Sequence, residues 1–144
     1  MGDRRKSREF AVQILYEIEM KGSDPKSVLD LYKKGQAKEL REFEGMSDDA
    51  QKFGMELLDG TYRNRKEIDE LIERHSLHWK LARMAVVDRN ILRLAVYELL
   101  YLHDVPTNAI LNEAIEIAKK FGTEDSSAFI NGILDKVAKE VRKT

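Results

Sequence analysis

The 144-residue chain has no cysteine, which excludes disulfide bridges and thiolate chemistry. Only two prolines, Pro25 and Pro106, occur, so most of the chain is free to form long helices. Long apolar runs are also missing. The most apolar stretch, Leu94 to Leu102, is short and contains Glu98, so no membrane span is expected. The basic N-terminus lacks the apolar core of a secretory signal, and Lys6 breaks the myristoylation pattern begun by Met1-Gly2. There is no P-loop, no dinucleotide glycine fingerprint and no nucleophile elbow. These absences lead us to expect a cytoplasmic, non-enzymatic protein with no catalytic residues, no cofactor and no small-molecule substrate.

What is present is a balance of 42% hydrophobic and 35% charged residues, suited to one compact domain with a heavily charged surface. No strand-like alternation of useful length occurs, and the expected class is all-α. Phe10, Ala11, Ile14, Leu15 and Ile18 form a helical stripe over 5–20. Gly22-Ser23-Asp24-Pro25 makes a turn before a weaker helix at about 25–40. Ser47 can cap a helix from 48 to about 75, in which Gly54 and Gly60 imply close packing or a bend. Leu77 to Met84 reads as a short helix or turn. Val86 to His103 is apolar on nearly every side and belongs at the centre. Thr107 or Asn108 can cap a helix over 107–121, ended by Gly122. Asp125 or Ser126 can cap the last helix, where Gly132 is expected to admit a neighbouring helix rather than a ligand.

Chemistry-bearing clusters are few. His75 and His78 share a helix spacing without a third ligand, so no metal site is expected. Glu113 and Glu116 read as a solvated acidic pair. The charge distribution says more: net charge is −1, yet residues 1–8 set Arg4, Arg5, Lys6 and Arg8 against Asp3, a net of +3. Cations at a helix start oppose the macrodipole, and a polyanion would turn that repulsion into attraction. A frayed, inert basic tail is the competing reading. Ion pairs between these cations and the chain's own carboxylates would remove the electrostatic case for RNA.

Three stretches carry a family resemblance. They are Arg4-Arg5-Lys6-Ser7-Arg8-Glu9-Phe10-Ala11-Val12-Gln13-Ile14-Leu15-Tyr16, then Asp88-Arg89-Asn90-Ile91-Leu92-Arg93-Leu94-Ala95-Val96-Tyr97-Glu98-Leu99, then Val105 through Lys136. The last holds NEAIEIAKKFG from Asn112 to Gly122, EDS from Glu124 to Ser126, and FINGILDK from Phe129 to Lys136. In order and spacing these resemble the NusB family of transcription antitermination factors, with residues 22–80 the loosest part. A similar domain is fused to some RNA cytosine methyltransferases. A chain ending at Thr144 is expected to be the stand-alone factor, a single domain over 1–144.

The resemblance implies two small three-helix bundles packed roughly perpendicular. It implies that, with the ribosomal protein NusE, the chain holds boxA-type single-stranded RNA and helps the RNA polymerase antitermination complex resist termination, notably in ribosomal RNA operons. The family's arginine-rich RNA-binding motif falls on Arg4, Arg5, Lys6 and Arg8. Lys6 stands where arginine is frequent and lacks its bidentate phosphate grip. Similarity places Phe121, Asp125 and Phe129 towards RNA, although the phenylalanines can equally be core and Asp125 a helix cap. It places Tyr16 and Asp88 towards NusE. Replacing Arg5 and Arg8 by alanine is then expected to weaken RNA binding while leaving the fold intact. A DNA-binding module is the less suitable reading, since no recognition helix stands out. A helical protein-interaction adaptor remains the alternative.

Overall fold

The computed structural model describes residues 2–24, 26–28, 30, 45–77 and 79–142. Helix α1 spans Gly2–Lys21, α2 Asp48–Arg63, α3 Arg65–His75, α4 Val86–Tyr101, α5 Thr107–Phe121 and α6 Ser126–Val141, with a 3-10 turn at Leu81–Arg83. No strand occurs among the described residues, and the class is all-α. The weaker helix expected at 25–40 lies mostly outside the described residues. Residues 26–28 and 30 are helical, started by Asp24, whose carboxylate accepts from the Lys26 N–H at 3.2 Å and the Ser27 hydroxyl at 3.0 Å.

Local chemistry accounts for the boundaries. Ser47 caps α2 by accepting the Ala50 N–H at 3.2 Å, and Asp48 and Asp49 suit the positive helix end. The single helix expected over 48–75 is two helices broken at Asn64. There the backbone leaves helical geometry, and the Asn64 N–H and its side-chain amide both donate to the Gly60 carbonyl, at 3.1 and 2.8 Å. Helix α1 starts three residues earlier than its apolar stripe predicts, so the basic residues lie in a helical turn and not in a tail. Neither Thr107 nor Asn108 caps α5; Pro106 holds that position, and the Thr107 hydroxyl accepts from Arg142.

Helix α4 is buried over most of its length and packs on α1, α2, α3, α5 and α6, the central role its all-round apolarity predicts. Phe10 and Ile14 of α1, Leu57 and Leu58 of α2, and Leu92 and Leu99 of α4 are almost fully enclosed. Each such side chain contributes about 1.5–3 kcal/mol by leaving water. Helices α1 and α2 pair with each other, as do α5 and α6, and both pairs pack on α4. Arg142, just past α6, donates to the carbonyls of Glu98, Leu99 and Leu102 at 2.8–3.0 Å, closing the last turn of α4.

Two helical glycines have opposite surroundings. Any side chain on Gly60 would overlap the ring of buried Tyr97, so here α2 touches α4 because a side chain is missing. Gly132, by contrast, has nothing near its missing side chain and is exposed, so the expected helix packing does not occur there. Gly60→Ala should therefore destabilise by about 1–3 kcal/mol through overpacking. Gly132→Ala should stabilise by about 1 kcal/mol through helix propensity. Urea unfolding of both variants checks the pair; a shift in the same direction for both would remove the packing explanation.

Candidate nucleic-acid interface

The first turns of α1 are linked to α5 by side-chain ion pairs. Arg5 reaches Glu113 through Nη2 at 2.6 Å and Nε at 3.0 Å, and one turn later Glu9 accepts from Lys120 at 2.9 Å. The two contacts align the helices and link the basic turn to the α5–α6 junction, where Phe121 follows Lys120. The Lys120 ammonium also lies 5.4 Å from the centre of the Phe121 ring.

The four cations have different fates. Lys6 is exposed and forms no ion pair among the described residues. Arg4 is exposed and stacks its guanidinium over Phe53, 4.2 Å from the ring centre. Arg5 is paired with Glu113, yet its side chain remains 49% exposed. Its hydrogen bond to the Glu113 carboxylate raises its pKa above the ordinary arginine value. Arg8 departs from the expectation. It is 4% exposed, and its guanidinium forks onto Glu98 with bonds of 2.8–3.1 Å, with Glu113 3.4 Å away. Burial pushes the Glu98 carboxyl up, and the hydrogen bonds from Arg8 pull against it. Arg8 is thus a core ion-pair residue with no face left for a phosphate. Its replacement alone should therefore destabilise the fold, against the expectation that it would not. The ion pairs of Arg5 and Arg8 remove half of the electrostatic case that the four cations made; Arg4 and Lys6 are exposed outside any ion pair among the described residues, and Arg5 is half-exposed beside Glu113.

Phe121 and Phe129 are half-buried, each packed partly against the core with an edge in solvent. Asp125 is exposed at the N-cap position of α6 but makes no capping bond; Ser126 accepts the Thr123 N–H at 2.9 Å instead. The cap reading of Asp125 is therefore set aside.

Tyr16 lies towards the other end of α1, and Asp88 in the first turn of α4. Glu19, one turn past Tyr16, pairs with Arg89, the neighbour of Asp88, and with Arg93 at 2.8 Å. Burial pushes the Glu19 carboxyl up, but the two arginines together hold it below its ordinary value. Tyr16 is 36% exposed, and Met20, one turn on, is 57% exposed. Asp88 is only 9% exposed, and its Oδ1 has no hydrogen-bond partner among the described residues. An orphaned buried acceptor costs roughly 1–3 kcal/mol.

Sequence reasoning missed Glu98 and misread Glu113. An ionisable residue inside the most apolar stretch signals a buried partner, and Glu98 carried that signal. Glu113 is not part of a solvated pair: it holds two arginines of α1, while exposed Glu116 turns to Lys119. His75 bonds Glu140 at 2.8 Å, and His78 lies outside the described residues. No helix among the described residues is long and apolar enough to cross a membrane.

The comparisons fit this arrangement. The chain is 47% identical over 143 residues to the transcription antitermination protein NusB of Myxococcus xanthus, covering 99% of each chain. The solved NusB of T. maritima superposes with a TM-score of 0.80 at 38% identity, covering 95% of this chain and 91% of that one. A solved complex of the antitermination factors NusB and NusE with double-stranded RNA contains a chain matching at TM-score 0.79 and 28% identity, with 97% and 98% covered. A model described as the NusB family matches residues 5–139, which take in most of the basic turn and all of α2 to α5, so the chain belongs to the NusB family.

Proposed function

We propose that this protein is a cytoplasmic transcription antitermination factor, folded as one unit over 1–144, that binds boxA-type single-stranded RNA together with NusE and catalyses no reaction. It acts as a part of the RNA polymerase antitermination complex. The observation carrying this reading is the exposed cationic turn Arg4, Arg5 and Lys6, joined through Glu9 and Lys120 to Phe121 in a chain of this family. The three cations take phosphates, while the exposed edges of Phe121 and Phe129 stack unpaired bases and Asp125 accepts from a base edge. Tyr16 and Asp88 are the residues given to NusE, with exposed Met20 one turn past Tyr16 extending that surface of α1.

Titrating a boxA-like RNA with and without NusE tests the reading. Cooperative binding should strengthen the RNA complex by about five- to 150-fold. Asp88→Lys should abolish most of that gain without altering binding of RNA alone. Failure of NusE to strengthen RNA binding would favour the interaction adaptor, and a preference for duplex over single-stranded RNA would overturn the role given to unpaired bases.

A further inference from the structure

Arg5 stands between two grooves on the α1–α5 surface. One, of about 360 Å³, runs past Glu9 and Lys120 towards the α5–α6 junction. The other lies on the far side, at the start of α5, and opens to about 590 Å³. Its volume falls within the roughly 300–1,000 Å³ of sites that enclose small molecules. None of the residues given above for base contact lines it.

The lining has a particular chemistry. Val105, Pro106 and Ala109 make an apolar wall, and Arg4 and Arg5 stand at the rim. Asn112 is exposed, and its side-chain amide makes no hydrogen bond among the described residues. The carboxylates of Asp104 and Glu113 also border the groove, while the charge of Arg8 is spent on Glu98. Opposite charges therefore nearly balance inside. A phosphate gains little in such a place, whereas a flat neutral group with hydrogen-bonding edges fits it.

We propose that this groove seats one unpaired nucleobase of the bound RNA, with Asn112 reading its edge and the adjoining phosphate resting on Arg4 and Arg5. The proposal rests on the RNA-binding reading above and extends the interface to the opposite side of Arg5. The base lies against Pro106 and Ala109. The Asn112 amide offers one donor and one acceptor, which match the paired acceptor and donor on a Watson–Crick edge. Every base presents such a pair, so the amide favours a base over an abasic position, and discrimination among bases is left to the shape of the groove.

The test uses the full chain and a 12-nucleotide boxA-like RNA, together with a set in which each nucleotide in turn is made abasic. Asn112→Ala should lower affinity roughly tenfold, the loss expected when the hydrogen bonds to one base edge are removed. At one position the abasic RNA should bind wild type as weakly as the variant binds intact RNA, and the variant should be indifferent to that lesion. Ala109→Leu, which narrows the groove without altering charge, should give the same pattern; thermal melting checks that both variants fold. Binding by Asn112→Ala within twofold of wild type, with no abasic position silenced, would overturn the base seat. If RNA binding still falls when Arg4 and Lys6 are removed, the wider RNA reading survives that failure. If wild type does not bind the RNA at all, both fall.

Discussion

Glu98→Ala should destabilise the protein by about 3–5 kcal/mol, because it strands the Arg8 guanidinium in the core between α1 and α4. Glu113, 3.4 Å from Arg8 and already bonded to Arg5, is a poor substitute for the lost fork. Arg8→Ala should cost a similar amount, leaving the carboxylate buried instead. Replacing both, Arg8→Met with Glu98→Leu, removes the charges together and fills the space with apolar atoms, so stability should return to within about 1 kcal/mol of wild type. Urea midpoints at neutral pH measure all three. A single-variant loss below about 1 kcal/mol would mean that water reaches the pair. The double variant also bears on RNA: with the fold restored and Arg8 gone, RNA binding should match wild type, since the buried guanidinium touches no phosphate.

That outcome shows where sequence reading succeeded and where it stopped. The apolar stripes of α1, α4, α5 and α6 mark those helices because burial on one face, or all round for α4, leaves a period of 3.6 in the sequence. The break at Asn64 was invisible because the apolar stripe runs on across it from α2 into α3. The partners of Arg5 and Arg8 were invisible for another reason: Glu98 and Glu113 lie 90 and 108 residues from the cations they bind, and no local spacing encodes such a pairing. Charge alone made the four cations look equivalent. Packing separated them into a buried pair member, a half-exposed pair member and two exposed groups. Gly132 taught the same lesson in reverse, since a helical glycine implies close approach only when a neighbour is there.

Substituting Arg4, Arg5 and Lys6 together by alanine should leave the fold intact and remove most of the electrostatic grip on RNA. Each of the three is exposed, and removing cations from the first turns of α1 relieves their opposition to the helix dipole. For single-stranded RNA, each lost phosphate contact should flatten the slope of log affinity against log salt by about 0.7, or about 2 for three. Raising salt from about 50 to about 200 mM should then shrink the gap between variant and wild type roughly 15- to 20-fold. An unchanged slope would mean that the phosphates are held elsewhere and that the basic turn is incidental. Charge and geometry separate in a companion variant, Arg4→Lys with Arg5→Lys. It keeps the cations and hence the slope, but it loses the planar fork that grips two phosphate oxygens at once. Affinity should therefore fall by a similar factor at every salt concentration. Arg5 must also leave Glu113 before it can reach RNA, so Glu113→Gln should raise wild-type affinity and have no such effect once Arg5 is alanine.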